Sequence, residues 1–433
     1  MKSRFRKNTM NTFVLMALGA MSGTAYAAGF ALIEQNASGM GNAYAGASAV
    51  AEDASTVFFN PAGMSRLEGK QFAAAGHVIM LSAEFSGTGT RPVALGGPAN
   101  TGGTGGDAGG TSVVPNGYFV MPLNDKMSFG VGLNVPFGLA TKYEDSWQGR
   151  FQGINSDLQT VNINPAMSYK ISEAVSVGAG INYQKLEVEL TNASIAGPGV
   201  EGRTKLVADD DTWGWNIGML FQVGIGTRVG VSYRSKMDYK LNGDVTTTVL
   251  ATGAAVPQGT FSANAEVTLP DMISVSVVHS LSDDVQLLAD LTSTRWSEID
   301  QVLVKDSAGA TRDALVLNFD DAMRYSVGVN FKWNDQWTLK GGLAIDESPV
   351  KSAQDRTVRL PDNDRTWISL GGQRKLGSSS RLDLGYTHIF IKDADINFTR
   401  AQLGLPAPVA SSTVTGSYKG SVDILSIQYT MNF

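Results

Sequence analysis

Along most of this chain apolar and polar side chains alternate with a period of two. In residues 417–433, Leu425, Ile427, Tyr429, Met431 and Phe433 share one side, and Ser426, Gln428, Thr430 and Asn432 share the other. That period predicts a strand with one apolar and one wet face. A half-buried strand of a soluble sheet fits this segment as well as the closing strand of a membrane barrel does. The same alternation starts at Gln71 and is clear at Met127-Phe129-Val131-Leu133-Val135, Val161-Ile163-Pro165-Met167-Tyr169 and Val175-Val177-Ala179-Ile181-Tyr183. It returns at Val229-Val231-Tyr233, Tyr325-Val327-Val329-Phe331-Trp333 and Trp337-Leu339-Gly341-Leu343-Ile345.

The connections decide between the two. Short ones fall at 122–125, 171–173, 224–226, 282–284, 334–336 and 377–380. Long ones are expected at 86–111, 137–159, 192–211, 249–260, 305–318, 348–363 and 399–416. Six short turns and seven long loops join fourteen strands, with both chain ends on the short-turn side. Sorting of loops by parity is the topology of a bacterial outer-membrane barrel, and a soluble sandwich has no reason for it. The expected fold is therefore an all-β membrane protein, a 14-stranded antiparallel transmembrane β-barrel over residues 70–433. Trp333, Trp337 and Tyr169 stand beside short turns, where an interfacial aromatic belt belongs. Leu269-Pro270 inside the long strand 261–281 predicts a bulge or bend, because proline cannot donate to the ladder.

Residues 28–69 do not alternate. They are rich in small side chains around Ser38-Gly39-Met40-Gly41-Asn42-Ala43-Tyr44 and run to Asn60-Pro61-Ala62-Gly63. Short helices and turns follow from that composition. Such a segment can pack closely inside a barrel as a plug, or lie as a helix pair on its surface. Before it, Lys2, Arg4, Arg6 and Lys7 precede an apolar run and Ala25-Tyr26-Ala27, which reads as a secretory signal peptide over residues 1–27.

Composition narrows the function. With the signal go four of the 34 basic residues and none of the 40 acidic ones, so the formal charge becomes −10. An acidic exported chain without a basic run does not suit nucleic acid. It has no cysteine, so disulfides and thiolate metal sites are out. His77, His279 and His388 lie on different strands, and there is neither a Gly-x-Ser-x-Gly elbow nor a His-Glu-x-x-His motif. A barrel can still assemble a hydrolase triad from distant strands, so an outer-membrane lipid hydrolase stands as the alternative of another class. No cofactor or metal is expected.

Several segments together resemble the FadL/TodX family of outer-membrane transporters for long-chain fatty acids and hydrophobic compounds. They are Ala28-Gly29-Phe30, the glycine/alanine-rich stretch, Asn60-Pro61-Ala62 and Pro136-Phe137-Gly138-Leu139-Ala140-Thr141. Further ones are Gly226-Thr227-Arg228-Val229-Gly230-Val231-Ser232-Tyr233-Arg234, Asp346-Glu347-Ser348-Pro349-Val350, Leu360-Pro361-Asp362-Asn363-Asp364-Arg365 and the terminal Phe433. The resemblance implies passive, monomeric transport through a barrel plugged by an N-terminal hatch. It also implies an inward kink in the third strand that opens a gap in the wall. Segment matching places that strand at 126–136, where Phe129, Gly130 and Gly132 are candidates for the distortion; glycines there would equally relieve crowding in the lumen.

The cargo sets the physical problem. Burying about 16 carbons at about 0.8 kcal/mol per methylene is worth on the order of 12 kcal/mol against water, which a wet pore does not replace. A series of apolar sites, each strong enough to accept and weak enough to release, does. The family's first capture site is a groove of external loops, which points to Phe137, Leu139, Trp147 and Phe151 in 137–159; those rings could instead pack the loop on the rim. A carboxylate head group needs cations, and inward parity nominates Arg234, Arg324 and Lys340. Segment matching adds Lys185, although alternation turns it outward. Phe30 is expected to line the inner pocket, and Asn60, Pro61 and Ala62 to belong to the moving hatch. Partners are then long-chain fatty acids or aromatic and alkane hydrocarbons, with outer-membrane lipid and lipopolysaccharide around the barrel. The exposed loops could also serve as a phage receptor.

Overall fold

A computed structural model describes residues 29–97, 102–251 and 254–433, and the signal peptide expected over 1–27 lies outside them. In chain order the strands are β1 (Gln71–Gly89), β2 (Gly110–Pro122), β3 (Met127–Asn134), β4 (Gly138–Lys142) and β5 (Asn155–Lys170). Then come β6 (Val175–Gly197), β7 (Val200–Gln222), β8 (Thr227–Arg234), β9 (Met237–Ala251), β10 (Ala254–Leu269) and β11 (Met272–Ser280). The next are β12 (Val285–Thr294), β13 (Gln301–Asp306), β14 (Thr311–Val316), β15 (Ala322–Lys332) and β16 (Trp337–Asp346). The last are β17 (Arg365–Leu376), β18 (Ser380–Ile391), β19 (Ala394–Ala401) and β20 (Ser411–Asn432). Six staves are each broken once, so these twenty strands make a closed barrel of fourteen antiparallel staves. Closure is the pairing of β1 with β20, from Gln71↔Asn432 to Gly89↔Val414. Among the described residues no helix is long and apolar enough to cross a membrane; the strands of the barrel cross it.

The period of two does what it must in such a wall. Ile181, Ile217, Val277, Val327, Leu343, Leu370, Leu425 and Ile427 face outward and are exposed, while their neighbours Asn182, Asn216, Ser276, Ser326, Ser369, Ser426 and Gln428 are buried in the lumen. Outward aromatics mark two levels. Tyr169, Trp333 and Phe433 ring the short-turn end, and the pairs Tyr183–Trp213 and Trp215–Tyr233, with ring centroids 5.0 and 5.1 Å apart, ring the other.

Leu269-Pro270 breaks its stave as expected, between β10 and β11. Three long loops are not loops, and 305–318 is one of them, holding the β13–β14 hairpin paired up to Lys305↔Thr311. β6 and β7 pair up to Gly197↔Val200, through most of 192–211, and β9 with β10 up to Ala251↔Ala254. Above the lipid the outward face of a hairpin carries polar residues such as Arg203, Lys205 and Asp209, so the apolar-outward alternation that marks the staves is missing there.

The N-terminal segment lies inside the wall. Its turns are α1 (Ala37–Met40), α2 (Ala47–Val50), α3 (Thr56–Phe59) and a 3-10 turn at Pro61–Arg66. Asn36 starts the first and Asn60 the last, their side chains accepting from the Gly39 and Ala62 amides as N-caps do. Met40, Ala43, Tyr44, Ala49, Val57, Asn60 and Met64 are wholly shielded from solvent.

The third stave breaks at Val135-Pro136-Phe137, above Phe129, Gly130 and Gly132, and not at those residues. Phe129 sits in regular pairing with Met121 and Met167. Gly130 has a different use: a Cβ there would meet Met64 Sδ at 2.5 Å and Val57 Cγ2 at 2.6 Å, so it admits the N-terminal segment. Gly132 likewise faces the Tyr118 ring. Beyond the break, β4 pairs with β5 alone, and residues 110–116 of β2 keep only β1 as a neighbour. The wall is therefore open between β2 and the third stave.

Candidate functional site

Both rims of that opening are tied to residues 30–35. The Leu32 amide donates to Pro136 O at 2.7 Å and the Gly138 amide to Phe30 O at 2.9 Å, across an Ala31↔Phe137 bridge. On the other rim Asn116 Nδ2 donates to Glu34 O at 2.9 Å and the Tyr118 hydroxyl to Gln35 O at 3.0 Å. Gln35 Nε2 reaches back to Val135 O at 2.9 Å.

Next to these residues is an inner cavity. Leu32, Ile33, Phe58, Phe59 and Trp296 supply apolar wall, and Arg234, Arg324, Asp290 and Asp346 polar wall. Arg234 lies 4.2 Å over the Phe58 ring and donates to Phe58 O. Arg324 donates to Ala43 O at 2.8 Å and stands 4.9 Å over Trp367, with Nε and Nη1 buried and without a hydrogen-bond partner among the described residues. Asp290 accepts from Ser274, Ser276 and Thr292, so three hydroxyls rather than a cation hold it.

An outer vestibule opens among the external ends of the strands. Its walls include Phe151, Val188, Leu206, Leu241, Val245 and Phe261, with Arg312, Arg359 and Arg400 among them. Leu241, Val245, Ala263 and Val304 of the vestibule share one apolar cluster with Phe30, Phe137, Leu139, Trp296 and Phe319. At its centre the Trp296 ring meets Phe30 edge-on at 4.7 Å, Phe319 at 6.0 Å and Phe137 at 6.3 Å.

The nominated residues divide accordingly. Arg234 and Arg324 line the inner cavity, and Phe151 the vestibule. Phe30, Phe137 and Leu139 belong to the cluster that shares residues with both. Trp147 does not present itself to cargo: it is fully buried, stacked on Tyr143 at 3.9 Å, and donates from Nε1 to Gly153 O. It packs the loop. Lys340 is spent on the N-terminal segment, 2.6 Å from Glu52 and bonded to Ser38. Lys185 faces outward beyond Tyr183, paired with Glu187 at 2.7 Å, as alternation requires. Asn60 ties its segment to the wall, donating to Ser48 O and Met219 O, while Gly218 and Gly178 make room for Asn60, Pro61 and Ala62. Asp53 adds an ion pair to Arg381 at 2.7 Å.

Sequence reasoning missed Trp296, Glu34 and Arg359. Each is a single buried side chain off any periodic face, so only three-dimensional closure brings its partners together. The histidines have unrelated partners: His77 meets Ser426, His279 meets Thr227 and His388 meets Asp423. None of these contacts joins an imidazole to both a hydroxyl and a carboxylate.

A lipid-facing closed barrel with a stoppered lumen, a gap in its wall and apolar cavities inside defines an outer-membrane transporter. The chain belongs to the outer membrane protein transport protein family (OMPP1/FadL/TodX), whose model matches residues 18–433. It is similar to outer membrane protein P1 of Haemophilus influenzae, 31% identical over 89% of this chain and 90% of the relative. It is also similar to the long-chain fatty acid transport protein of Salmonella typhi, 30% identical over 92% and 94%. Among solved structures, a Pseudomonas aeruginosa FadL homologue superposes with a TM-score of 0.85 at 23% identity, over 94% of this chain and all of that one.

Proposed function

We infer that this protein passively admits long-chain fatty acids and related hydrophobic molecules across the outer membrane. The observation that carries the reading is the continuity of apolar surface from the vestibule, past the Trp296 rings, to a cavity beside the wall opening. The resemblance to a long-chain fatty acid transport protein supports the choice of cargo. Arg234 and Arg324 supply guanidinium groups where a carboxylate head would otherwise be stranded in the lumen. Cargo is captured in the vestibule, passes the rings, and settles in the inner cavity. Residues 30–35 then release the rims, and the molecule leaves sideways between β2 and the third stave.

Liposomes carrying the protein should take up radiolabelled palmitate chemically unaltered and faster than protein-free liposomes. Replacing Trp296→Ala removes the central ring and should raise that rate several-fold. Uptake no faster than through bare lipid, or release of hydrolysis products from a phospholipid, would refute the reading.

A further inference from the structure

The vestibule holds a cation that the transport path as described does not use. Arg359, on the loop between β16 and β17, is only 4% exposed and lines the vestibule wall. Its Nη1 donates to Asn155 O and Ser156 Oγ at 2.9 and 3.0 Å. Its Nη2 donates to Thr191 O and Asn192 Oδ1, both at 3.2 Å. All four acceptors are neutral. The neighbouring carboxylates are taken: Asp313 pairs with Arg400, and Asp306 with Arg312 at 2.6 Å. Among the described residues Arg359 makes no ion pair. Burial, with repulsion from Arg400, pushes its guanidinium down to about 9. Arg400 Nε is likewise buried without a partner.

A buried charge without a counter-ion is costly. Here it borders a chamber in which Val188, Leu190, Leu206 and Leu315 offer apolar surface to an alkyl tail. We propose that Arg359, backed by Arg400, is a head-group site in the vestibule that selects amphiphiles bearing one carboxylate over neutral hydrocarbons before they reach the inner cavity. This rests on the transport reading and adds the chemistry of its first selective step. The cation is rigid, because four neutral oxygens fix the fork, so a carboxylate enters a prepared field without reordering the side chain. A neutral hydrocarbon gains the same apolar walls but not the charge.

The test uses the full chain with the inner head-group cations replaced, Arg234→Gln and Arg324→Gln, so that a remaining preference for palmitate over hexadecanol reports the vestibule. Affinities for palmitate and for hexadecanol are measured at pH 8 in the otherwise unaltered protein, in Arg359→Gln and in Arg359→Lys. The expected result is that Arg359→Gln lowers the palmitate-to-hexadecanol affinity ratio by about tenfold or more, the scale of one charge-assisted contact. Arg359→Lys should keep most of the ratio. Should Arg359→Gln weaken both ligands equally, or neither, Arg359 is only a staple of the loop and the assignment is overturned while the transport reading stands. If the unaltered vestibule binds neither ligand, it is no capture site, and the transport reading falls with the assignment.

Discussion

Oxidising a cysteine pair introduced as Ala31→Cys and Phe137→Cys should abolish uptake and leave vestibule binding intact. The geometry favours this pair. Bonds from the Leu32 amide to Pro136 O and from the Gly138 amide to Phe30 O flank Ala31↔Phe137, which makes it a non-hydrogen-bonded antiparallel pair. Such pairs stand about 4.5 Å apart at Cα, inside the range of about 4.4–6.8 Å that a disulfide spans. The chain has no cysteine of its own, so the bond has no competitor. Fixing residue 31 to the third stave prevents the neighbouring residues from letting go of the rims. Reduction should restore uptake in the same sample, which separates the lock from the loss of the Phe137 ring. Uptake unchanged by oxidation would remove the moving segment from the mechanism.

The second large effect concerns pH. Glu34 is fully buried and its carboxylate oxygens have no side-chain partner among the described residues; its own backbone amide gives the largest effect opposing burial. Burial pushes its carboxyl up to about 7; the charges of Arg324 and Arg365 act the other way, and Asp346 adds to the rise. When residues 30–35 leave the lumen the group returns toward 4.5, its ordinary value. Below about 4.5 the carboxyl is protonated in both states. Between about 4.5 and 7 it is protonated only when docked, so docking weakens as pH rises, by roughly 3 kcal/mol across the window. Above about 7 it is ionised in both, and the loss is complete. Asp53 does not blur this: burial opposes its ionisation, but Arg381, Ser55 and Gln428 hold it below the usual range. Uptake should therefore rise with pH through this window, and Glu34→Gln should flatten the profile at its acid-side level. Protease protection of residues 30–35, followed against pH, gives the same readout without cargo. A slope that survives in Glu34→Gln would assign it to another group.

The outer surface of the barrel was legible because lipid imposes one rule on every stave. A residue facing hydrocarbon must be apolar, and its neighbours then face the lumen, so Lys185 was placed by parity even where resemblance argued otherwise. The interior obeys no such rule. Arg234, Arg324 and Lys340 share inward parity, yet only the first two line the cavity; Lys340 is committed to Glu52, which lies 288 positions away in sequence. Trp147 and Phe151 sit four residues apart in one loop, and whether a ring faces cargo or packs on Tyr143 depends on the loop's path. The third stave breaks not at its glycines but at Val135-Pro136-Phe137, where the missing N–H and the fixed ring of Pro136 leave the ladder without a donor.

The route itself can be read directly. A fatty acid with a diazirine near its methyl end, activated during transport, marks the residues it passes on its way out. Adducts on Asn116, Val114 and Val135, at the rims between β2 and the third stave, are the expected result. Adducts on Ser65 and Arg66, at the short-turn end of the N-terminal segment, and on Ser176 of the wall beside them, with none at the rims, would mean that cargo leaves along the barrel axis and that the opening in the wall is not its door.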